Sequence, residues 1–256
     1  MMRTIDLNSD LGEGFGPWKM GNDAAVLDIV TSANIACGGH AGDPATMVET
    51  LTLARERAVV VGAHPGFADR EGFGRRLIPM SATEVEQLVA TQIGALMGAA
   101  ALAGVAVRYV KPHGALNNWA AVDHSAAAAI ARATRAVCPD LAILAISGTT
   151  LERAGREAGL AVFSEIYADR AYLADGQLVP RSREGAVIHD AGVAAHRLVA
   201  FMSKGLMPTI DGPAIRLEAQ SICVHGDSPG AQRMAAEVRA ALEAAGISFA
   251  PFVKPS

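Results

Sequence analysis

The sequence predicts an α/β fold, a single (β/α) barrel of seven or eight strands with residues 1–256 forming one domain. Three observations lead there. Short apolar, β-rich runs alternate with helical patterns along the whole chain, the rhythm of a parallel sheet covered by helices. Caps recur where the helices begin and end. Polar, chemically capable residues follow almost every strand, which suits a closed barrel, where all strand ends meet at one mouth. An open sheet instead gathers its site where strand order reverses. A length of 256 residues is ordinary for one such barrel, and no linker or shift of composition divides it.

Strands are expected near Thr4–Leu7, Ala33–Ala36, Val59–Gly62, Arg108–Lys111, Ala142–Ile146, Ala161–Ile166 and Ser221–Val224. Ile247–Phe249 supplies an eighth strand or an edge piece. Between them, Asp43-Pro44 reads as an N-cap followed by proline at the first helical position. Ser81 with Glu84, and Thr149 with Glu152, have capping-box spacing. Asp123 caps an Ala-rich helix, and Ser228-Pro229 repeats the cap-plus-proline device. Gly104, Gly159 and Gly246 stand where helix C-termini need a left-handed residue. The irregular stretch 171–185, rich in Arg and Gly, is expected to be a long loop over the active site.

Composition excludes several function classes. The formal charge is −4, and Lys and Arg form no run, so no nucleic-acid footprint or polybasic membrane anchor is expected. No secretory signal is visible at the N-terminus. The most apolar helical stretch, around Ile93–Leu102, is broken by glycine and falls short of the ~18 residues that span a bilayer. A cytoplasmic location follows by elimination. Cys37, Cys138 and Cys223 are too few and too scattered for a disulfide framework or a thiolate zinc site, and buried free thiols are expected.

Four of the seven histidines, His40, His64, His113 and His225, lie just past apolar runs beside Gly or Pro, residues that end strands and allow close backbone approach. His124, His189 and His196 fall on helices or their starts and read as surface groups. Acids occupy the same strand ends: Asp6, Asn8, Asp10 and Glu13 at the first, Glu165, Asp169 and Arg170 at the sixth, Asp227 at the seventh. Asp6, Asn8 and Asp10 alternate and so share one face, with Ile5 and Leu7 turned to the helices. One acid after a strand is usually a cap or turn former, as Asp43 and Asp123 are expected to be. A mouth gathering several acids, four histidines and Lys111 is different, because burying each ionisable group costs roughly several kcal/mol unless it is paired or kept for function.

No P-loop, no dinucleotide fingerprint and no nucleophile elbow is present. Histidine with Asp and Glu suits general acid–base work on an amide or ester, or a divalent metal that polarises a carbonyl or activates water. Spacing alone does not choose between them.

Seven stretches carry a resemblance: DLNSDLGE (6–13), ANIACGGHAGDP (33–44), GAHPGFADREGFGRR (62–76), KPHGAL (111–116), EIYADRAY (165–172), LVPR (178–181) and ICVHGD (222–227). In this order they resemble the LamB/YcsF family, the A subunits of 5-oxoprolinase. The resemblance implies a barrel of the glycoside hydrolase/deacetylase type. It also implies ATP-driven hydrolysis of 5-oxo-L-proline to L-glutamate together with B and C subunits. On that reading Asp10, Glu13, His40, His64 and His113 are the catalytic candidates. Asn8, Asn34, Arg75, Lys111, Glu165, Asp169, Arg170, His225 and Asp227 are the substrate-binding ones, with Lys111, Arg75 or Arg170 holding a carboxylate or phosphate. Without a P-loop, ATP is expected to be handled by the partner subunits. Asn117 departs from the family, which has Tyr there. Two other readings stay open: a metal-dependent deacetylase acting on a sugar amide, and a non-catalytic subunit that presents a small acid to a partner.

Overall fold

The computed structural model describes residues 3–225 and 230–254. In chain order the elements are β1 (Arg3–Leu11), α1 (Asp23–Leu27), β2 (Ser32–Ala36), α2 (Pro44–Glu56), β3 (Val60–His64), α3 (Ala82–Ala103), β4 (Val107–Val110), α4 (Gly114–Val122) and α5 (His124–Val137). They continue with β5 (Ala142–Ile146), α6 (Thr150–Glu157), β6 (Val162–Tyr167), α7 (Ala191–Lys204), β7 (Leu206–Met207), β8 (Ile215–Arg216), β9 (Ser221–Cys223), α8 (Ala231–Ala244) and β10 (Ile247–Phe249).

Seven parallel strands close the barrel in the order β1-β2-β3-β4-β5-β6-β9, with β9 returning to β1. One edge of β1 serves two neighbours, because at nine residues it is longer than either. Asp6–Asn8 pair with β9, and Arg3–Ile5 pair with β10. The stretch at Ile247–Phe249 is therefore an edge piece below the point of closure. The short antiparallel pair β7–β8 was not legible in the sequence.

The expected alternation holds along β1. Ile5, Leu7 and Leu11 join the apolar layer under the helices, while Asp6, Asn8 and Asp10 bond to side chains of other strands inside the barrel. The lower interior is apolar: Val60, Tyr109, Ala142 and Leu144 pack with Phe163 and Phe252. Polar side chains fill the interior above, so strand alternation delivers the chemistry to one end.

The helix caps mostly follow the sequence. Asp43 accepts from the Ala45 and Thr46 amides, Ser81 and Glu84 form the reciprocal box, and Asp123 accepts from the Ala126 amide. Gly104, Gly159 and Gly246 have φ of 68°, 74° and 79°. Thr149 corrects the reading. Its hydroxyl donates to the Ile146 carbonyl, while Glu152 accepts from the Gly148 amide and the Ser164 hydroxyl; nearby tertiary partners outcompete the local box. Ser228-Pro229 lies outside the described residues. Cys138 is half-buried rather than buried. Helix α3 runs between the two caps read in the sequence, Ser81 and Gly104. By length and composition its 22 residues would reach across a bilayer, but Val85, Val89, Ile93 and Leu96 are fully buried in the barrel's apolar layer.

Candidate active site

The interior polar layer centres on Lys111, which follows β4. Its ammonium lies 3.1 Å from Asp10 Oδ1, 3.0 Å from Glu165 Oε2, 3.2 Å from Asn8 Oδ1 and 3.0 Å from Cys223 Sγ. Burial alone would strip the proton from this lysine, but the carboxylate of Asp10 and the groups around it hold its pKa well above the ordinary value. Burial would likewise raise the Asp10 carboxyl, yet His64 and Lys111 keep it well below its usual range. Glu165 is different. Burial wins over the pull of Lys111 and pushes it up. Asn34 donates to both Asn8 and Asp10 and accepts from the Tyr109 hydroxyl.

Above Lys111, Glu13, His40, His64 and His113 each present one ligand atom, all within 4.8 Å of one another. This buried group could hold a metal ion. His64 Nδ1 lies 2.7 Å from the Lys111 carbonyl and His113 Nε2 lies 2.9 Å from the Phe73 carbonyl. A carbonyl only accepts, so those two nitrogens carry the hydrogens. The remaining nitrogens, His64 Nε2 and His113 Nδ1, face each other at 3.0 Å. In neutral rings both carry lone pairs, and such an approach calls for a proton or a cation nearby. His40 stacks on His113 with centroids 3.6 Å apart, and its Nε2 meets Glu13 at 3.1 Å. Its buried Nδ1 has no hydrogen-bond partner among the described residues. Burial and the neighbouring imidazoles push both His40 and His113 well below the ordinary histidine value.

The surrounding loops fix these rings. Cys37 Sγ accepts from the His64 amide, and burial pushes its thiol up to about 12, so it stays a protonated packing group. Gln92, from the middle of α3, makes two bonds to the backbone of Gly66. Phe73 supplies its carbonyl from a left-handed conformation, φ 53°, rare for a residue with a side chain. A Cβ added at Gly66 or Gly74 would sit 2.7 Å from His40, so these glycines are where the loops approach the rings.

A cavity of about 580 Å³ opens beside the cluster. Asp10, His64, Arg75, His113, Arg170 and His225 line it, joined by the 173–181 part of the long loop. His225 Nδ1 lies 2.8 and 2.9 Å from the two Asp169 oxygens, and its Nε2 lies 3.1 Å from Arg181 Nη2.

Of the residues singled out in the sequence, the structure brings Asn8, Asp10, Glu13, Asn34, His40, His64, Lys111, His113 and Glu165 into one connected interior group. Arg75, Asp169 and His225 stand at or behind the cavity wall, where Arg75 lies over the Phe73 ring. Arg170 lines the cavity, but its guanidinium donates to the Val179 and Ala186 carbonyls and so also holds the loop. Asp227 lies outside the described residues. His124, His189 and His196 are exposed, as expected. Arg181, Gln92, Phe73 and Tyr167 were missed. Arg181, Phe73 and Tyr167 each lie inside a stretch that carried the resemblance, LVPR, GAHPGFADREGFGRR and EIYADRAY; Gln92 had no such signal. Asn117, in place of the family's Tyr, is buried and directs its amide at the Tyr167 hydroxyl, 3.4 Å away.

The sequence profile of the LamB/YcsF family matches residues 5–256. The chain is 52% identical to a 5-oxoprolinase A subunit of Pseudomonas syringae pv. tomato over 98% of either chain. It is 53% identical to the 5-oxoprolinase A subunit of Gluconobacter oxydans over 96% of this chain and 97% of that one. Among solved structures, the lactam utilization protein of Thermus thermophilus superposes with a TM-score of 0.91 at 42% identity, covering 96% of this chain and 99% of that one. A deacetylase solved with its substrate matches at a TM-score of 0.50 and 14% identity, over 97% of this chain and 87% of that one, a likeness of fold alone.

Proposed function

Because the chain belongs to the LamB/YcsF family, we propose that it is the A subunit of an ATP-dependent 5-oxoprolinase, one barrel domain that works with B and C subunits. The complex opens 5-oxo-L-proline to L-glutamate. The observation that carries this reading is the mouth itself: a cavity of about 580 Å³ walled by His64, His113, His225 and Asp10, with arginines at its rim. Its polar groups are of the kind that hydrolyse amides.

The lactam is a resonance-stabilised amide, and coupling to ATP offsets the cost of opening it. In the proposed sequence the lactam oxygen is phosphorylated and water then attacks the activated carbon. The chain lacks a P-loop, so nucleotide handling falls to the partner subunits, in the cytoplasm where ATP is available. Arg75 at the cavity rim orients the substrate carboxylate. Lys111 keeps Asp10 ionised beneath the reacting ring, and His40 holds the Glu13 carboxylate in place beside it. Glu13, His64 and His113 also suit a divalent cation, because two of their lone pairs are aimed at each other by backbone carbonyls outside the cluster. Such an ion would polarise a carbonyl or acidify water.

The deciding experiment measures glutamate released from 5-oxoproline, with and without ATP, by the chain alone and mixed with its B and C subunits. Glutamate is expected only from the ATP-containing mixture. Absence of glutamate from every mixture, with the partners shown to be folded and bound, would overturn the reading in favour of a deacetylase-like hydrolase.

A further inference from the structure

The Asp169–His225–Arg181 group stands apart from the Glu13 and three-histidine cluster, yet His225 and Arg181 line the same cavity. An ionised carboxylate only accepts hydrogen bonds, so the hydrogen in the Asp169–His225 contact sits on Nδ1. Burial alone would raise Asp169, but His225 beside it holds the carboxyl below its ordinary value, in the accepting form. A guanidinium only donates, so the Arg181 contact at 3.1 Å places a lone pair on His225 Nε2. Both neighbours thus specify the same tautomer. The Tyr167 ring stacks on the imidazole at 5.2 Å and fixes its plane. This is the arrangement of a general base, a carboxylate-oriented imidazole with its lone pair turned to a substrate cavity, except that the lone pair is capped by a cation.

We propose that His225 is a proton-transferring residue of this site and that Arg181 caps its lone pair until a ligand carboxylate draws the guanidinium away. Arg181 is exposed and makes no ion pair among the described residues. A carboxylate entering the cavity offers Arg181 an ionised acceptor at hydrogen-bond distance in place of the imidazole nitrogen, and the charge-assisted pair is the stronger bond. The device ties the availability of the base to the anionic end of the substrate. In the hydrolytic step a water oxygen bonds to the activated carbon while one of its protons passes to His225 Nε2. When the C–N bond breaks, the electron pair stays on nitrogen, which takes that proton, and His225 returns to its starting form; the carbon is left as an acyl phosphate, which a second water hydrolyses to the carboxylate and inorganic phosphate. Asp169 is a positioning residue, acting through His225. The other charged and titratable groups around His225, among the described residues, are Asp10, Arg75, Arg170 and Tyr167 from the cavity side and His189 and Arg233 from behind. The ligand's identity rests on the function proposed above; the capped histidine does not.

The test is ¹⁵N NMR of histidine-labelled full-length chain, with the His225 signal assigned through His225→Gln. Without ligand, Arg181→Met is expected to move the His225 Nε2 signal downfield, since that lone pair no longer accepts a hydrogen bond from the guanidinium. An unchanged Nε2 signal overturns the cap. In the wild-type chain 5-oxoproline is expected to produce the same displacement, and pyrrolidin-2-one, which lacks the carboxylate, none. An equal response to both overturns the carboxylate trigger. Failure of 5-oxoproline to bind counts against the proposed function, while the Arg181→Met spectrum still decides the cap. In the assembled complex, His225→Gln is expected to lower kcat about 100-fold or more with KM little changed. Asp169→Asn should lower kcat and displace the acidic limb of the kcat–pH profile, which a purely structural role would not move. Full turnover by His225→Gln overturns the catalytic role.

Discussion

His64 and His113 owe their orientation to two carbonyls outside the cluster they serve, those of Lys111 and Phe73. Each bond fixes one nitrogen as a donor and turns the other into the cluster, where His64 Nε2 and His113 Nδ1 meet at 3.0 Å. His40 lacks such an anchor at Nδ1 among the described residues. This asymmetry predicts unequal contributions to metal binding. Calorimetric titration of metal-free chain with Zn²⁺ or Mn²⁺ should give one site in the wild type. Glu13→Ala, His64→Ala and His113→Ala should each abolish it, whereas His40→Ala should weaken it by about tenfold, in the range seen when supporting groups rather than ligands are removed. A wild-type chain that takes up neither ion sinks the idea. Uptake lost equally in all four variants would make His40 a full ligand.

Within the elements, position depends on what faces what across neighbouring strands. Gly62 of β3 stands opposite Tyr109 of β4, and a Cβ built on it would lie 2.3 Å from the Tyr109 ring. That ring cannot move away freely, because its hydroxyl donates to Asn34 and it packs against the Phe252 ring in a T-shaped contact. Gly62→Ala is therefore expected to destabilise the chain by about 1–3 kcal/mol, as overpacking does, read as a lower urea midpoint; an unchanged midpoint would mean the interior yields. Such relations mark what the sequence could and could not tell. The strands, the caps at Asp43, Ser81 and Asp123, and the histidines past the strand ends were legible because each is local: an apolar run, a side chain within three residues of its partner amide, a Gly or Pro beside a ring. The Gln92 clamp on Gly66, the Phe73 carbonyl on His113 and the loss of the box at Thr149 join residues 12 to 40 positions apart. No local pattern encodes them. Arg170 shows the same limit, since a basic residue at a strand end reads as an anion binder until the carbonyls of Val179 and Ala186 are seen around it.

For the molecule as a whole, closing the barrel requires polar side chains from several strands to share one interior, and Asp6 is where this opposes stability. It sits beside the closing strand β9, 1% exposed, and accepts from Thr31, Ser32 and Ser221. Burial outweighs those bonds and pushes its carboxyl up to about 6 from 3.8, with a smaller push from Glu165. A carboxyl whose folded value lies above its unfolded value binds protons more tightly when folded. Its share of stability is therefore fully present below about pH 4 and is lost as pH rises through about 6. The shift of roughly two units corresponds to about 3 kcal/mol. Asp10 and Asp69, held below their ordinary values, act in the opposite sense and lose stability as pH falls, so the whole-chain curve conceals Asp6. The difference between wild type and Asp6→Asn isolates it. The variant keeps an acceptor for Thr31 and Ser32 but loses the anion. Urea unfolding at about pH 4 and about pH 7 should show its stability rising relative to wild type by about 2–3 kcal/mol across that interval, whatever fixed offset the altered Ser221 contact introduces. A difference that stays flat with pH would mean that Asp6 is ionised at little cost inside the closed barrel, and that the polar interior solvates it as water does.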